Sequence, residues 1–143
     1  MKTEALGTRR KGRELALKVL YQMEFRPTWS AGEKEDFVLS DTGPTAVKQF
    51  ARELVEGVQR NRTVLDETIS RLSTAWKLDR IGSIERNIIR IGCYEILFGG
   101  DVPPAAAINE AIELAKQYGS VEAGPFVNGV LDAVRKQCSS KEQ

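Results

Sequence analysis

Two stretches of the chain carry residue types suited to holding a nucleic acid. Lys2, Arg9, Arg10, Lys11 and Arg13 fall within the first 13 residues, against Glu4 alone. Guanidinium and ammonium groups clustered in this way supply phosphate contacts, which give affinity with little sequence information. Arg9, Arg10 and Arg13 stand on the opening turns of a helical pattern, where the helix dipole disfavours cations. Charge placed against the dipole points to a use for it; the plainer reading is a solvated, frayed basic N-terminus. The second stretch is 118–128, YGSVEAGPFVN. Tyr118 and Phe126 offer rings on which bases can stack, while Glu122, Asn128 and backbone N–H groups at a helix start can take base edges. The plainer reading there is a capped helix junction with Phe126 in the core. A third feature is the polar edge of 78–100, made of Glu85, Arg86, Arg90, Tyr94 and Glu95. It suits either a docked protein or a solvated flank. Arg86 and Arg90 stand at i and i+4, where like charges repel. Asp79, Glu95 or Glu110 could serve as their carboxylate partners.

Other chemistries are poorly served. The sequence has no histidine, which removes the commonest general base and every His-containing metal site. Its two cysteines, Cys93 and Cys138, form no motif and are expected to be reduced. No phosphate-cradling glycine loop, paired Cys-x-x-Cys, zinc-protease helix or nucleophile elbow occurs, so no metal or cofactor is expected. An enzyme built on Asp79, Glu85 or Glu95 is the least supported reading. Helical spacing leaves those carboxylates near arginines, which keep them ionised and poor as acids. Net charge is only +1, so the basic start is a local patch on a neutral body. At 143 residues, 41% hydrophobic and 29% charged, the chain fits a single domain with a real core. No apolar run approaches the roughly 18 residues of a bilayer span. The basic start lacks an apolar segment behind it, so a cytoplasmic protein is expected.

The elements that must position these residues are all helical. Ala16, Val19, Leu20 and Met23 give a helix over 8–25, with Leu15 and Leu17 widening its stripe. Pro27 ends it. Residues 27–44 read as a long connection with at most one helical turn, anchored by Trp29, Phe37, Val38 and Leu39. Val47, Phe50, Ala51, Leu54, Val55 and Val58 give a second helix over 45–62. Thr63 with Asp66 looks like a cap for a third, whose face is Leu65, Ile69, Leu72 and Trp76; Trp76 reads as a core or hinge residue. Residues 78–100 form a helix apolar around most of its circumference, through Ile81, Ile84, Ile88, Ile91 and a second stripe at Ile89, Cys93, Ile96 and Leu97. Such a helix is expected at the centre, with others packed around it. After a turn with Asp101 as candidate cap, Ile108, Ala111, Ile112 and Ala115 define a helix ending at Tyr118 and Gly119. Ser120 can cap the segment after it. Pro125 should split that segment into a short turn and a last helix bearing Val127, Val130, Leu131 and Val134. The tail 138–143 is expected to be disordered. The prediction is all-α, with about six or seven helices.

The segments RRKGRELALKVLYQ, FARELVEGVQRN, WKLDRIGSIERNIIRIGCYEI, DVPPAAAINEAIELAKQYGS and FVNGVLD together resemble the NusB family of bacterial transcription antitermination factors. The likeness runs from about Arg9 to Val134, in the family's order and spacing. It implies one NusB-like domain over 1–143 made of two small packed bundles, roughly 8–76 and 78–137. It implies a non-enzymatic protein that pairs with NusE, a small-subunit ribosomal protein, and binds boxA RNA in nascent transcripts. The pair would join NusA, NusG and RNA polymerase and support transcription of ribosomal RNA operons. Lys2, Arg9, Arg10 and Arg13 match the family's RNA-contacting arm, and Tyr118, Glu122, Phe126 and Asn128 its second RNA-contacting region. Tyr21, Asp79, Glu85, Tyr94 and Glu95 fall where the family meets NusE. Two positions depart from the pattern. Pro125 replaces a basic residue, removing one phosphate contact, and Gly12 replaces an alanine, at a cost of about 1 kcal/mol in helix preference. A homodimer that buries the RNA arm stays open. So does the alternative of an interaction module like the N-terminal domain of RNA cytosine methyltransferases, against the expectation that no cofactor-binding domain follows Gln143.

Overall fold

A computed structural model of the chain describes the backbone of residues 2–73 and 81–142, and the side chains of residues 7–73 and 81–138. Seven helices occur among the described residues, and no strand. They are α1 (Lys2–Phe25), α2 (Ala31–Leu39), α3 (Thr45–Arg60), α4 (Arg62–Leu72), α5 (Ser83–Phe98), α6 (Pro104–Tyr118) and α7 (Ala123–Glu142). The expectations for Trp76 and Asp79 fall in 74–80, outside the described residues, as does the side chain of Lys2. The chain divides into two compact units, Met1–Gln59 and Arg60–Gln143. The division falls between α3 and α4, earlier than the one expected at 76–78 from the sequence, so α4 belongs with the C-terminal helices.

In the first unit, α1 buries Leu15, Ala16, Leu17, Val19 and Leu20, and α3 buries Val47, Ala51, Leu54 and Val58. The connection after Pro27 is not a bare loop. Ser30 accepts a hydrogen bond from the Glu33 N–H, and Glu33 accepts one from the Ser30 N–H, a capping box that starts α2. Trp29 is buried edge-on against Phe37, with ring centroids 5.6 Å apart. Arg52 of α3 holds Glu35 of α2 in a paired, bidentate contact, with its Nε 3.0 Å from Oε2. That guanidinium holds the Glu35 carboxyl below its usual range.

In the second unit, α5 is the central helix, packed by α4, α6 and α7. Ile88, Ile89, Ile91 and Cys93 are buried on it. Gly92 lets α7 come close: a Cβ there would lie 2.5 Å from the Leu131 Cδ1. Arg90 is 4% exposed and bridges to α4 through a two-pronged contact with Asp66, 2.8 and 3.1 Å long, plus the Asn87 side-chain oxygen at 3.2 Å. Asp66 is thus a carboxylate partner of Arg90 that the sequence reading does not name. Asp66 does not act in a cap with Thr63; Asn61 precedes α4, without a side-chain cap bond. Asp101 likewise does not cap α6, which starts from Pro103 with Pro104 in its first turn. Pro125 causes no break. It stands third in α7, where its missing N–H would have had no intrahelical acceptor. The tail expected to be disordered continues α7 to Glu142.

Candidate nucleic-acid interface

In the first unit, the basic cluster is built on an aromatic support. The Arg9 and Arg13 guanidinium carbons lie 5.7 and 5.5 Å from the centre of the Phe50 ring, so both cations stack on one α3 side chain. Gly12 lies between them in sequence and is buried against the same ring, where a Cβ would meet the Phe50 Cδ2 at 2.6 Å. Gly12 is thus the residue that lets Phe50 seat under the two arginines. Burial divides the cluster. Arg13, named from the resemblance in the RNA-contacting arm, is 3% exposed in this chain by itself. Arg10 and Lys11 are exposed and Arg9 is half-buried, so these three carry the positive surface. At the far end of α1, Tyr21 packs on Phe25 with centroids 4.9 Å apart, and Phe25 is 62% exposed.

In the second unit, the α6–α7 junction surrounds an open pocket of about 380 Å³. Ile81, Gly82, Glu85, Ser120, Glu122, Ala123 and Phe126 line it. Glu85, on the first turn of α5, accepts a hydrogen bond from the Ser120 N–H at 3.0 Å and so fixes the turn before α7. Two glycines stand beside that carboxylate. A Cβ at Gly82 would lie 2.6 Å from its Oε2, and one at Gly119 would lie 3.2 Å from its Oε1. Glu122 and Asn128 are exposed, Phe126 and Tyr118 half-buried. The Tyr118 hydroxyl lies 3.4 Å from the Gln117 amide nitrogen. The pocket therefore joins two residues expected at an RNA surface, Glu122 and Phe126, with one expected at a protein interface, Glu85.

The remaining partner residues separate. Tyr94 is half-buried and packs on Phe98 at 5.8 Å, leaving Phe98 48% exposed. Glu95, named from the resemblance at the NusE surface, is 3% exposed in this chain by itself. Sequence reasoning misses Phe25 and Phe98. Each stands four residues after a candidate tyrosine, the spacing at which helical side chains meet, and that signal could have found them. Burial pushes the Cys93 thiol up to about 12, which removes it as a nucleophile near neutral pH. Among the described residues no group of three His, Cys, Asp or Glu side chains could hold a metal ion, and no helix is long and apolar enough to cross a membrane.

The chain is similar to known proteins in sequence and in fold. A family model described as the NusB family matches residues 10–136. The transcription antitermination protein NusB of Desulfovibrio desulfuricans is 46% identical over 95% of this chain and 89% of that one. NusB of Myxococcus xanthus is 46% identical over 90% of this chain and 95% of its own. Among solved structures, T. maritima NusB superposes with a TM-score of 0.82 at 37% identity, covering 94% of this chain and 97% of that one. A crystal structure of the antitermination factors NusB and NusE in complex with dsRNA contains a chain that superposes at 0.80 with 29% identity, covering 91% and 97%.

Proposed function

This chain belongs to the NusB family, and from that premise we propose that it is a transcription antitermination factor that binds boxA RNA together with NusE. The reading has it act in the cytoplasm, without catalysis of its own, on ribosomal RNA operons. NusA, NusG and RNA polymerase complete the assembly that it joins. The observation that carries this reading is the junction of α6 and α7, where Phe126 and Glu122 edge an open pocket and Asn128 stands exposed on the next turn. An aromatic face beside hydrogen-bonding groups is what single-stranded RNA recognition uses. Arg9, Arg10 and Lys11 supply phosphate contacts from α1, and Lys2 extends that arm. Tyr21 of the first unit and Tyr94 of the second, each beside an exposed phenylalanine, are assigned by this reading to contacts with NusE, as is Asp79.

The physical logic is composite. Three or four cations give only modest affinity for a single strand, and the partner protein enlarges the surface. Titration of a labelled boxA-like RNA, with and without NusE, tests the proposal. Affinity should rise at least tenfold when NusE is present. For the chain alone, log K should fall with log salt at a slope of about −2 to −3, as three or four phosphate contacts give on a single strand. Binding insensitive to both salt and NusE would refute the reading.

A further inference from the structure

We infer that Phe50 is a positioning residue for RNA binding: its ring holds Arg9 in place without cancelling the charge, so that Arg9 meets the phosphate backbone already ordered. The inference rests on the RNA-binding reading and adds to it a residue of α3 outside the basic cluster. Arginines of this chain are held in two ways. Arg52 and Arg135 are held by the carboxylates of Glu35 and Asp132, so a negative charge stands against each guanidinium. Arg9 instead lies over the Phe50 ring, 5.7 Å from its centre, and among the described residues it forms no ion pair. The negative face of an aromatic ring attracts a cation and brings no counter-charge. What remains is a full positive charge at a fixed place, which is what a phosphate contact requires.

Sharing of the ring decides which cation is anchored and which is offered. Arg9 and Arg13 stand at i and i+4, where like charges repel, yet both lie over the same ring, at 5.7 and 5.5 Å. Arg13 is 3% exposed and ties α1 to α3, whereas Arg9 is half-buried and keeps a water-facing side. Gly12 leaves the ring its seat, since a Cβ there would stand 2.6 Å from the Phe50 Cδ2. Immobilising one long side chain at an interface lowers affinity by a factor of about two to ten, and a side chain already confined escapes part of that loss. Arg26 rests on Trp29 in the same manner. No other Lys or Arg falls between Lys18 and Lys34, so that contact stands apart from any basic cluster.

The test uses the full chain with NusE, a labelled boxA-like RNA, and phenylalanine carrying one, two or three ring fluorines in place of Phe50. Fluorine withdraws charge from the ring face and weakens its attraction for a cation, while the size of the ring changes little. Fluorescence anisotropy should show affinity falling stepwise along the series, by about threefold at the third fluorine, the factor that one partly exposed contact of this kind gives. The salt slope should stay constant, because no cation is removed. In an Arg9→Gln background the slope should be lower by about 0.7 throughout, and affinity should be the same at every fluorine count. Equal affinities along the series with Arg9 present overturn the proposal. A decline of equal size in the Arg9→Gln background also overturns it, since the ring would then act through Arg13 or through packing. Phe50→Leu, apolar and of similar bulk, should bind RNA at least as weakly as the trifluorinated chain; native affinity in that variant counts against the proposal in the same way. Failure of the RNA reading itself looks different: the native chain with NusE does not bind the RNA, and Arg10→Ala changes nothing.

Discussion

Gly12→Ala separates two opposite expectations about the basic helix. From helix preference alone, alanine should stabilise α1 by about 1 kcal/mol, because glycine loses more backbone freedom on folding. The structure reverses the sign. A Cβ at position 12 would stand 2.6 Å from the Phe50 Cδ2 and 3.2 Å from the Phe50 Cβ. Restoring a carbon–carbon separation of about 3.5 Å requires the ring to move by roughly 1 Å. That movement disturbs a ring on which both Arg9 and Arg13 stack, contacts worth about 0.5–1 kcal/mol each. Overpacking of this kind costs about 1–3 kcal/mol. Set against the gain in helix preference, the net change is a destabilisation of about 1 kcal/mol, or about 3 °C in Tm for a chain of this size. Urea unfolding followed by circular dichroism, with the slope m checked for constancy, measures it. In a Phe50→Ala background the same substitution should be neutral or stabilising. A rise of about 1 kcal/mol with Phe50 intact would show that glycine is there for some reason other than room for the ring.

Three further outcomes are expected. Asp66→Ala should cost about 2–3 kcal/mol, less than a fully buried pair loses, because Asp66 is partly exposed while Arg90 is not; a loss under about 0.5 kcal/mol in urea unfolding would show that the pair contributes little. Glu35 and Asp132 are held below their ordinary values, first by hydrogen bonds from Arg52 and Arg135. Because their folded values are depressed, their contribution is present above the ordinary 4.5 and 3.8 and is lost as pH falls through the folded values. With no histidine to titrate, the urea midpoint should be flat between about pH 5.5 and 8 and fall only on the acid side; a step near pH 6.5 would contradict this. Pro125→Lys should restore a phosphate contact on the first turn of α7, tightening RNA binding a few-fold and steepening the salt slope by about 0.7. An unchanged slope would place position 125 away from the backbone of the strand.

Most of the helices are legible in the sequence because their apolar residues recur at helical spacing. Ile88, Ile89, Ile91 and Cys93 mark α5 as central, and it is packed by α4, α6 and α7. Legibility fails where local chemistry competes with a stronger cue. The turn-forming residues after Pro27 mask the capping box of Ser30 and Glu33 that starts α2. Pro125 reads as a breaker, although the first turn of a helix tolerates proline. In the candidate interface, residue types are legible and burial is not. Arg13 and Glu95 carry charges of the right sign for their expected roles, yet both are buried, Arg13 against Phe50 of α3. The seating of Glu85 against Ser120, 35 positions later, depends on how α5 meets the α6–α7 turn, which no local pattern encodes.

The most direct measurement of the central claim is boxA-like RNA affinity, in the presence of NusE, for Arg10→Ala and Phe126→Ala tested separately. Arg10→Ala should weaken all sequences alike and reduce the salt slope by about 0.7, the signature of one lost phosphate contact on a single strand. Phe126→Ala should lower affinity by about tenfold or more and leave the slope unchanged, as the loss of one stacked base does. Native affinity in either variant, with its helicity and NusE binding intact, would contradict the assignment of that region to RNA.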